Sequence, residues 1–211
     1  AEKKKIRVIH SSIKDELLNM NSNLYEEGRK LEIISVGRFH WKKGYHYAID
    51  AMKILYKNKV DFFYTIIAQG KIPEEITFLI NEYELCERIK IIQGMKHDEL
   101  LRKLQSSHLL ILPSVEEGIA NVVLEAMAIG VPVLTTDCGG MAEVVEDKVN
   151  GYIVKVRNPD LLAKKVMSFI NTDIEFKKKL TQKAKQVIAK EFNRGKQIRE
   201  FSDFYNSILR K

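Results

Sequence analysis

Two glutamates eight positions apart, Glu117 and Glu125, are best placed by type and spacing to hold a ligand. From Val122 to Ile129 every residue except Glu125 is apolar. A helix apolar all round is a buried helix, and a carboxylate within one needs hydrogen-bonding partners or costs several kcal/mol. Something polar must therefore meet Glu125 in a crevice. Asn121, one turn earlier on the same face, looks into that crevice too. The apolar run 109–112 leads in as a buried parallel strand, Gly118 falls at the turn, and a helix follows from Asn121. In open parallel sheets ligands bind beyond the carboxyl ends of the strands, where the free N–H groups of a helix start favour phosphate. An ionised carboxylate accepts from two neighbouring hydroxyls. A ligand with phosphates in the middle and hydroxylated rings at both ends fits this pattern, which describes a nucleotide-sugar.

Fixed positive charge for a diphosphate comes from a second patch. Arg38 and Lys43 follow the first strand, on the loop entering the first helix, framed by Gly37 and Gly44. Arg can grip phosphate bidentately. Alone, both would be ordinary surface cations; the framing glycines and the two glutamates give them the phosphate role. Lys42 reads as solvated, and Trp41 flanks the loop.

Residues 113–132 resemble the donor-binding signature of a large family of retaining glycosyltransferases, which includes glycogen synthase, sucrose synthase and bacterial mannosyl- and glucosyltransferases. The stretch from Gly37 through Arg38 and Lys43 to Gly44 resembles that family's Gly-Arg to Lys-Gly loop. Pro113-Ser114, Gly139-Gly140 with Glu143, and Asn150-Gly151-Tyr152-Ile153-Val154 match in the same order. The likeness runs from about Glu32 to the C-terminus. It implies one half of a two-domain GT-B enzyme, transferring a sugar from a UDP-, GDP- or ADP-sugar to a glycan or lipid-linked acceptor with retained configuration. It implies catalytic roles for Arg38, Lys43 and Glu117, with Glu117 on the hydroxyls of the transferred sugar and Glu125 on the ribose. Glu116 competes with Glu117, but the spacing to Glu125 and the following Gly118 favour Glu117. Gly37 and the backbone of Gly118, Ile119, Ala120, Asn121 and Val122 join the donor site. Met95, in Gly94-Met95-Lys96 after the third strand, is either a base contact or a core methionine. An acceptor-binding N-terminal domain would be missing here, leaving the isolated domain inactive.

The chain departs from the family pattern in three places. Gly118-Ile119-Ala120 stands where many members carry Gly-Phe-Gly, a Gly-x-Gly is reduced to Gln69-Gly70-Lys71, and Ser11-Ser12-Ile13-Lys14 occupies the interdomain linker. The first two bear on the sugar pocket and the phosphate approach, because glycine permits backbone contacts that a Cβ blocks. The third bears on the hinge. Two rival functions are a similarly built epimerase or phosphorylase, and a non-catalytic module that binds nucleotide-sugars or polyanions.

Positioning these residues requires alternating strands and helices, the mark of stacked βαβ units. The patterns predict strands over 32–36, 62–67, 90–92, 109–112, 133–135 and 152–154, with a short candidate at 7–10. Helices are predicted over 45–56, 74–83, 98–105, 121–129, 141–145, 159–170, 174–190 and 195–209. Asn158-Pro159-Asp160 is a helix-start signal. The fold class is α/β, a doubly wound parallel, Rossmann-like sheet. The expected organisation is a linker over 1–30, the nucleotide-sugar-binding domain over 31–194, and a C-terminal helix over 195–211 returning toward the missing half. The apolar stripe of that helix, Ile198, Phe201, Tyr205, Ile208 and Leu209, either packs on this domain or docks on the absent one.

With 45% hydrophobic and 30% charged residues, the composition is that of an ordinary globular protein. No apolar run approaches the ~20 residues that span a bilayer, and no signal peptide opens the chain. The start, residues 1–5, reads as a cut into a longer protein. Cys86 and Cys138 sit in no metal-ligand spacing, which points to a reducing compartment and a cytoplasmic location. Lys177, Lys178, Lys179, Lys183, Lys185 and Lys190 mix with apolar residues along one helix. They form either a solvated face or a weak contact with anionic lipid at the inner membrane face. Nucleic acid is not an expected partner despite the net charge of +7, because no base-reading motif accompanies the charge. The histidines form no triad-like or metal-like set and read as structural or exposed. Neither a metal nor a separate cofactor is expected, since no Asp-x-Asp motif is present.

Overall fold

A computed structural model describes residues 6–209. Its elements are β1 (Leu31–Arg38), α1 (Tyr45–Lys57), β2 (Phe62–Gln69), α2 (Glu74–Glu82), β3 (Ile89–Gln93), α3 (His97–Gln105), β4 (Leu109–Leu112) and α4 (Asn121–Ile129). They continue with β5 (Val133–Thr136), β6 (Tyr152–Val154), α5 (Pro159–Ile170), α6 (Ile174–Glu191) and α7 (Arg194–Leu209). All six strands are parallel, in the order β3-β2-β1-β4-β5-β6. The chain steps outward from β1 to β3, then returns to place β4 on the other side of β1. Loops leaving the carboxyl ends of β1 and β4 turn to opposite faces there, which opens the crevice that such sheets use for ligands. The α/β, doubly wound, Rossmann-like class read from the sequence is the one observed.

The apolar runs are strands because both faces of the sheet are covered. Along β4, Leu109 and Ile111 join one core with Ile33, Phe62, Tyr64, Ile49 and Phe169. Leu110 and Leu112 join the opposite core with Ile34, Val123, Leu124, Met127 and Ile188. The alternation is the two-residue period of a strand. Helix α4 lies between the sheet and α6, so Val123, Leu124, Ala126, Met127, Ala128 and Ile129 are all buried. Asn158 caps α5 by accepting from Leu161 N at 2.9 Å, with Pro159 in the first turn.

Several local expectations are corrected. Residues 7–10 form no strand: Val8 is 70% exposed, and the first pairing is Ile13 with the α6–α7 junction, where Ile13 N donates to Phe192 O at 3.1 Å. The helix predicted over 141–145 is one 3₁₀ turn, Met141–Glu143, because the Asn150 side chain takes Val144 O at 2.9 Å and Glu146 N at 2.8 Å. Strand β1 runs on to Arg38, which therefore ends a strand instead of lying in the loop. No described residue of α7 is buried, so its stripe does not pack on this domain. Residues 1–5 and 210–211, with the expectations that fall on them, lie outside the described residues. No helix among the described residues is long and apolar enough to cross a membrane.

Lys177 departs furthest from its sequence reading. It is 2% exposed, with Nζ 5.1 Å from the ring centroids of both Tyr25 and Phe169 and near the carbonyls of Tyr25 (3.4 Å) and Ile170 (3.3 Å). Lys185 is likewise tied down, donating to Leu18 O, Met20 O and Asn21 Oδ1. Two of the six lysines are thus removed from any lipid-facing stripe. The cost of desolvating the ammonium is set against its two rings and two carbonyls, so Lys177→Met, which keeps the apolar stem, should change the unfolding free energy by no more than about 2 kcal/mol. Lys177→Glu, setting a carboxylate against carbonyl oxygens, should lower it by about 3–5 kcal/mol; urea denaturation measures both.

Candidate functional site

Two loops build the crevice wall. After Arg38, Phe39 N donates to Gln69 O at 2.8 Å, and residues Trp41–Lys43 make a 3₁₀ turn whose cap is the His40 ring, accepting from Lys42 N. Gly44 ends that turn with φ +62°, and a Cβ there would lie 2.2 Å from Pro113 O. Only glycine satisfies both the left-handed backbone and that contact. The neighbouring Lys42 carbonyl accepts from Val115 N at 2.7 Å, so the loops after β1 and β4 are laced together. Two ion pairs cross the seam, Lys42 Nζ with Glu116 Oε1 at 2.6 Å and Lys43 Nζ with Glu117 Oε2. Lys43 and Glu117 are the more sheltered, at 18% and 21% side-chain exposure. The Lys43 stem crosses Gly37, where a Cβ would stand 3.1 Å from Lys43 Cε. From behind, Gly139 at φ +52° presses so closely that its Cβ would reach 1.7 Å from Glu117 O.

These loops border a cleft of about 560 Å³ lined by Gly37, Arg38, His40, Lys43, Gln69 and Glu117. A narrower recess of about 80 Å³ adjoins it, where Gly37 and Gln69 meet Gly94 and Met95. Arg38 is exposed and makes no salt bridge with another described residue. Lys42, read as solvated, is 40% exposed at its side chain and pairs with the exposed Glu116.

Helix α4 opens onto the same crevice without a side-chain cap. Ala120 holds the cap position, and none of the N–H groups from Gly118 to Val122 donates to a described acceptor. An alanine cap leaves these donors free where serine or aspartate would occupy one. Together with the helix dipole they make an anion-binding end. One turn into the helix, Glu125 is 15% exposed at its side chain, and burial raises its carboxyl above the usual range. The ring of His97 offsets this in part, with Nε2 3.6 Å from Glu125 Oε1. Asn121, one turn before Glu125, is exposed at the helix start.

The structure thus brings Gly37, Arg38, Lys43 and Glu117 to one cleft, Met95 to its recess, and residues 118–122 with Glu125 to α4. Sequence reading missed His97, grouping it with the structural or exposed histidines; its place directly after Gly94-Met95-Lys96 at a helix start was the available signal. It also missed Tyr45, whose buried hydroxyl lacks a hydrogen-bond partner, as does that of Ser114 beside Pro113. Burial, with Tyr64 and Glu117 nearby, raises the Tyr45 phenol far above its ordinary value. Glu143 stays exposed and meets His10 at 3.1 Å. Among the described residues no group of three or more His, Cys, Asp or Glu could hold a metal ion.

A family model described as "Glycosyl transferases group 1" matches residues 19–187. Over 187 residues the chain is 30% identical to the putative colanic acid biosynthesis glycosyltransferase WcaL of Salmonella typhimurium, covering 86% of this chain and 46% of that protein. The chain spans about half the length of the curated relatives it matches. Two solved structures share its fold. Anabaena HepE in complex with UDP-glucose superposes with a TM-score of 0.80 at 19% identity, over 95% of this chain and 57% of that one. The C-terminal domain of LpcC, a glycosyl transferase group 1 family protein of Francisella tularensis, gives 0.68 at 21% identity, over 89% and 97%.

The raised Glu125 carboxyl has a consequence for stability. Between the ordinary unfolded value and the raised folded one, the folded state binds more protons, so stability falls as pH rises through that window. Glu125→Gln removes this penalty. Without ligand, the variant should melt above the wild type at neutral pH, with the gap closing as pH falls through the window. Thermal melts across pH check this.

Proposed function

We infer that this chain, which belongs to the group 1 glycosyl transferases, is the donor-binding part of an enzyme moving sugar from a nucleoside-diphosphate sugar to an acceptor. One observation carries the reading: two carboxylates, Glu117 and Glu125, stand at either end of five consecutive unpartnered N–H groups, with Arg38 and Lys43 beside them. That sequence of groups matches sugar hydroxyls, phosphates and ribose hydroxyls in order. The recess at Met95 takes the base. The UDP-glucose in the HepE complex supports a donor of this class. The 46% coverage of WcaL supports an acceptor-binding part outside this chain, with residues 31–194 as the donor domain, 1–30 as linker, and the exposed stripe of α7 docking on that part.

In the transfer, the bond between the anomeric carbon and the phosphate oxygen breaks, and its electron pair leaves on that oxygen. The acceptor oxygen bonds to the carbon and gives its proton to the departing phosphate oxygen, with configuration retained. Arg38, Lys43 and the α4 N–H groups stabilise the charge growing on the phosphate, as preorganised donors do. Fixed cations take the charge-neutralising role that a divalent ion has elsewhere. Lys43 must leave Glu117 as phosphate arrives, freeing Glu117 for the sugar. The isolated chain is expected to bind donor and transfer nothing.

A thermal-shift screen of UDP-, GDP- and ADP-glucose at moderate salt tests this, since ligand at about 100 times its Kd adds ~2.7 kcal/mol. Stabilisation by one of them that survives added salt is expected. Response to polyanions alone, lost steeply with salt, would replace the donor site with a polyanion surface. In the complete enzyme, Lys43→Ala should depress turnover by roughly 10²–10³-fold, the scale for one transition-state donor. Arg38→Lys should also slow it, because a point charge cannot reproduce bidentate geometry. Calorimetry should show both variants losing affinity for the diphosphate and keeping it for the bare nucleoside.

A further inference from the structure

His97 is the first residue of α3, and its ring stands across the crevice from Glu125 on α4, 3.6 Å away. That separation is an ion pair only when the imidazole carries a proton, since it exceeds hydrogen-bond length. The ring is about half exposed, on the open side of the crevice, whereas the carboxylate is sheltered at 15%. Other charged groups near His97 are Lys96, Asp98 and Glu99, all on its own segment. From α4 only Glu125 faces it, and the far end of α3 meets the uncharged Asn21 and Asn23. A ligand covering Glu125 would strip water from the carboxylate and bring phosphate charge to the neighbouring start of α4. The phosphate charge favours a positive charge at His97, and a charged imidazole there offsets the cost of keeping the desolvated Glu125 carboxylate ionised.

We propose that His97 is a second recognition residue of the nucleoside half of the site, taking a proton from solvent as the donor binds and holding Glu125 ionised for the ribose hydroxyls. This rests on the donor-site reading above. Imidazole is the one side chain whose unperturbed titration falls in the physiological range, so donor affinity becomes linked to pH through a group outside the phosphate cluster. In an NDP-glucose both phosphates are diesters, already ionised at neutral pH. They contribute no titration of their own.

The test is calorimetry with whichever of UDP-, GDP- and ADP-glucose the screen selects, run in two buffers of different ionisation enthalpy. Net uptake of a fraction of a proton is expected, with affinity tightening from about pH 8 to about pH 6, the range of imidazole titration. His97→Gln should abolish the uptake and weaken binding about 2- to 5-fold at the acidic end, with little change at the basic end. Binding without uptake overturns the role of His97 alone. Uptake that survives in His97→Gln puts the proton on Glu125 and overturns it equally. Binding of none of the three sugars removes the donor site itself, and this proposal with it.

Discussion

The crevice depends on the contact between two loops that leave neighbouring strands, β1 and β4, on the two sides of the strand-order reversal. Gly44 lies against the Pro113 carbonyl where no side chain fits, and the Lys42 carbonyl holds Val115 N. The ion pairs above are secondary to this. Lys42 and Glu116 are 40% and 61% exposed, and such a pair is worth about 0–1 kcal/mol. Backbone fit therefore sets the separation of the loops, and the side-chain charges follow it. Gly139 secures the same arrangement from behind, pressing on the Glu117 carbonyl.

The site is also a local liability. Helix α4 starts without a side-chain cap, a carboxylate sits in an otherwise apolar helix, and the Tyr45 and Ser114 hydroxyls are buried without partners. An unpartnered buried group costs about 1–3 kcal/mol, so the cores on both faces of the sheet must offset several such terms. A bound anion with flanking hydroxyls supplies partners for the helix start and the carboxylate together. Lys43 paired with Glu117 keeps two site charges neutralised until that ligand arrives.

The sheet was legible because burial on both faces writes each strand as an unbroken apolar run, as in 109–112. Helix α5 was legible because Asn158 and Pro159 declare its start locally. What escaped notice depends on partners far along the chain. Lys177 looks like its neighbours on a lysine-rich helix, and only Tyr25 and Phe169 make it a buried cation. His97 acquires meaning only because α3 packs beside Glu125. The run 7–10 has strand composition but leads into Ile13, which pairs at the α6–α7 junction and not with a strand of the sheet, and 141–145 has helical composition but loses its groups to Asn150. Glu117, Glu125, Arg38 and Lys43 could be singled out as candidates, whereas the pairing of Lys43 with Glu117 could not.

The central claim is that the unpartnered N–H groups from Gly118 to Val122 receive the phosphates of a nucleotide-sugar. Amide chemical shifts of the labelled chain, followed while the NDP-glucose that binds is added, test it most directly. The account predicts the largest downfield shifts, and new protection from hydrogen exchange, at the amides of residues 118–122, with smaller changes at Gly37 and Met95. Unmoved amides at 118–122, with the largest shifts instead at the separate surface hollow around Ser22, Gly130 and Lys185, would contradict it.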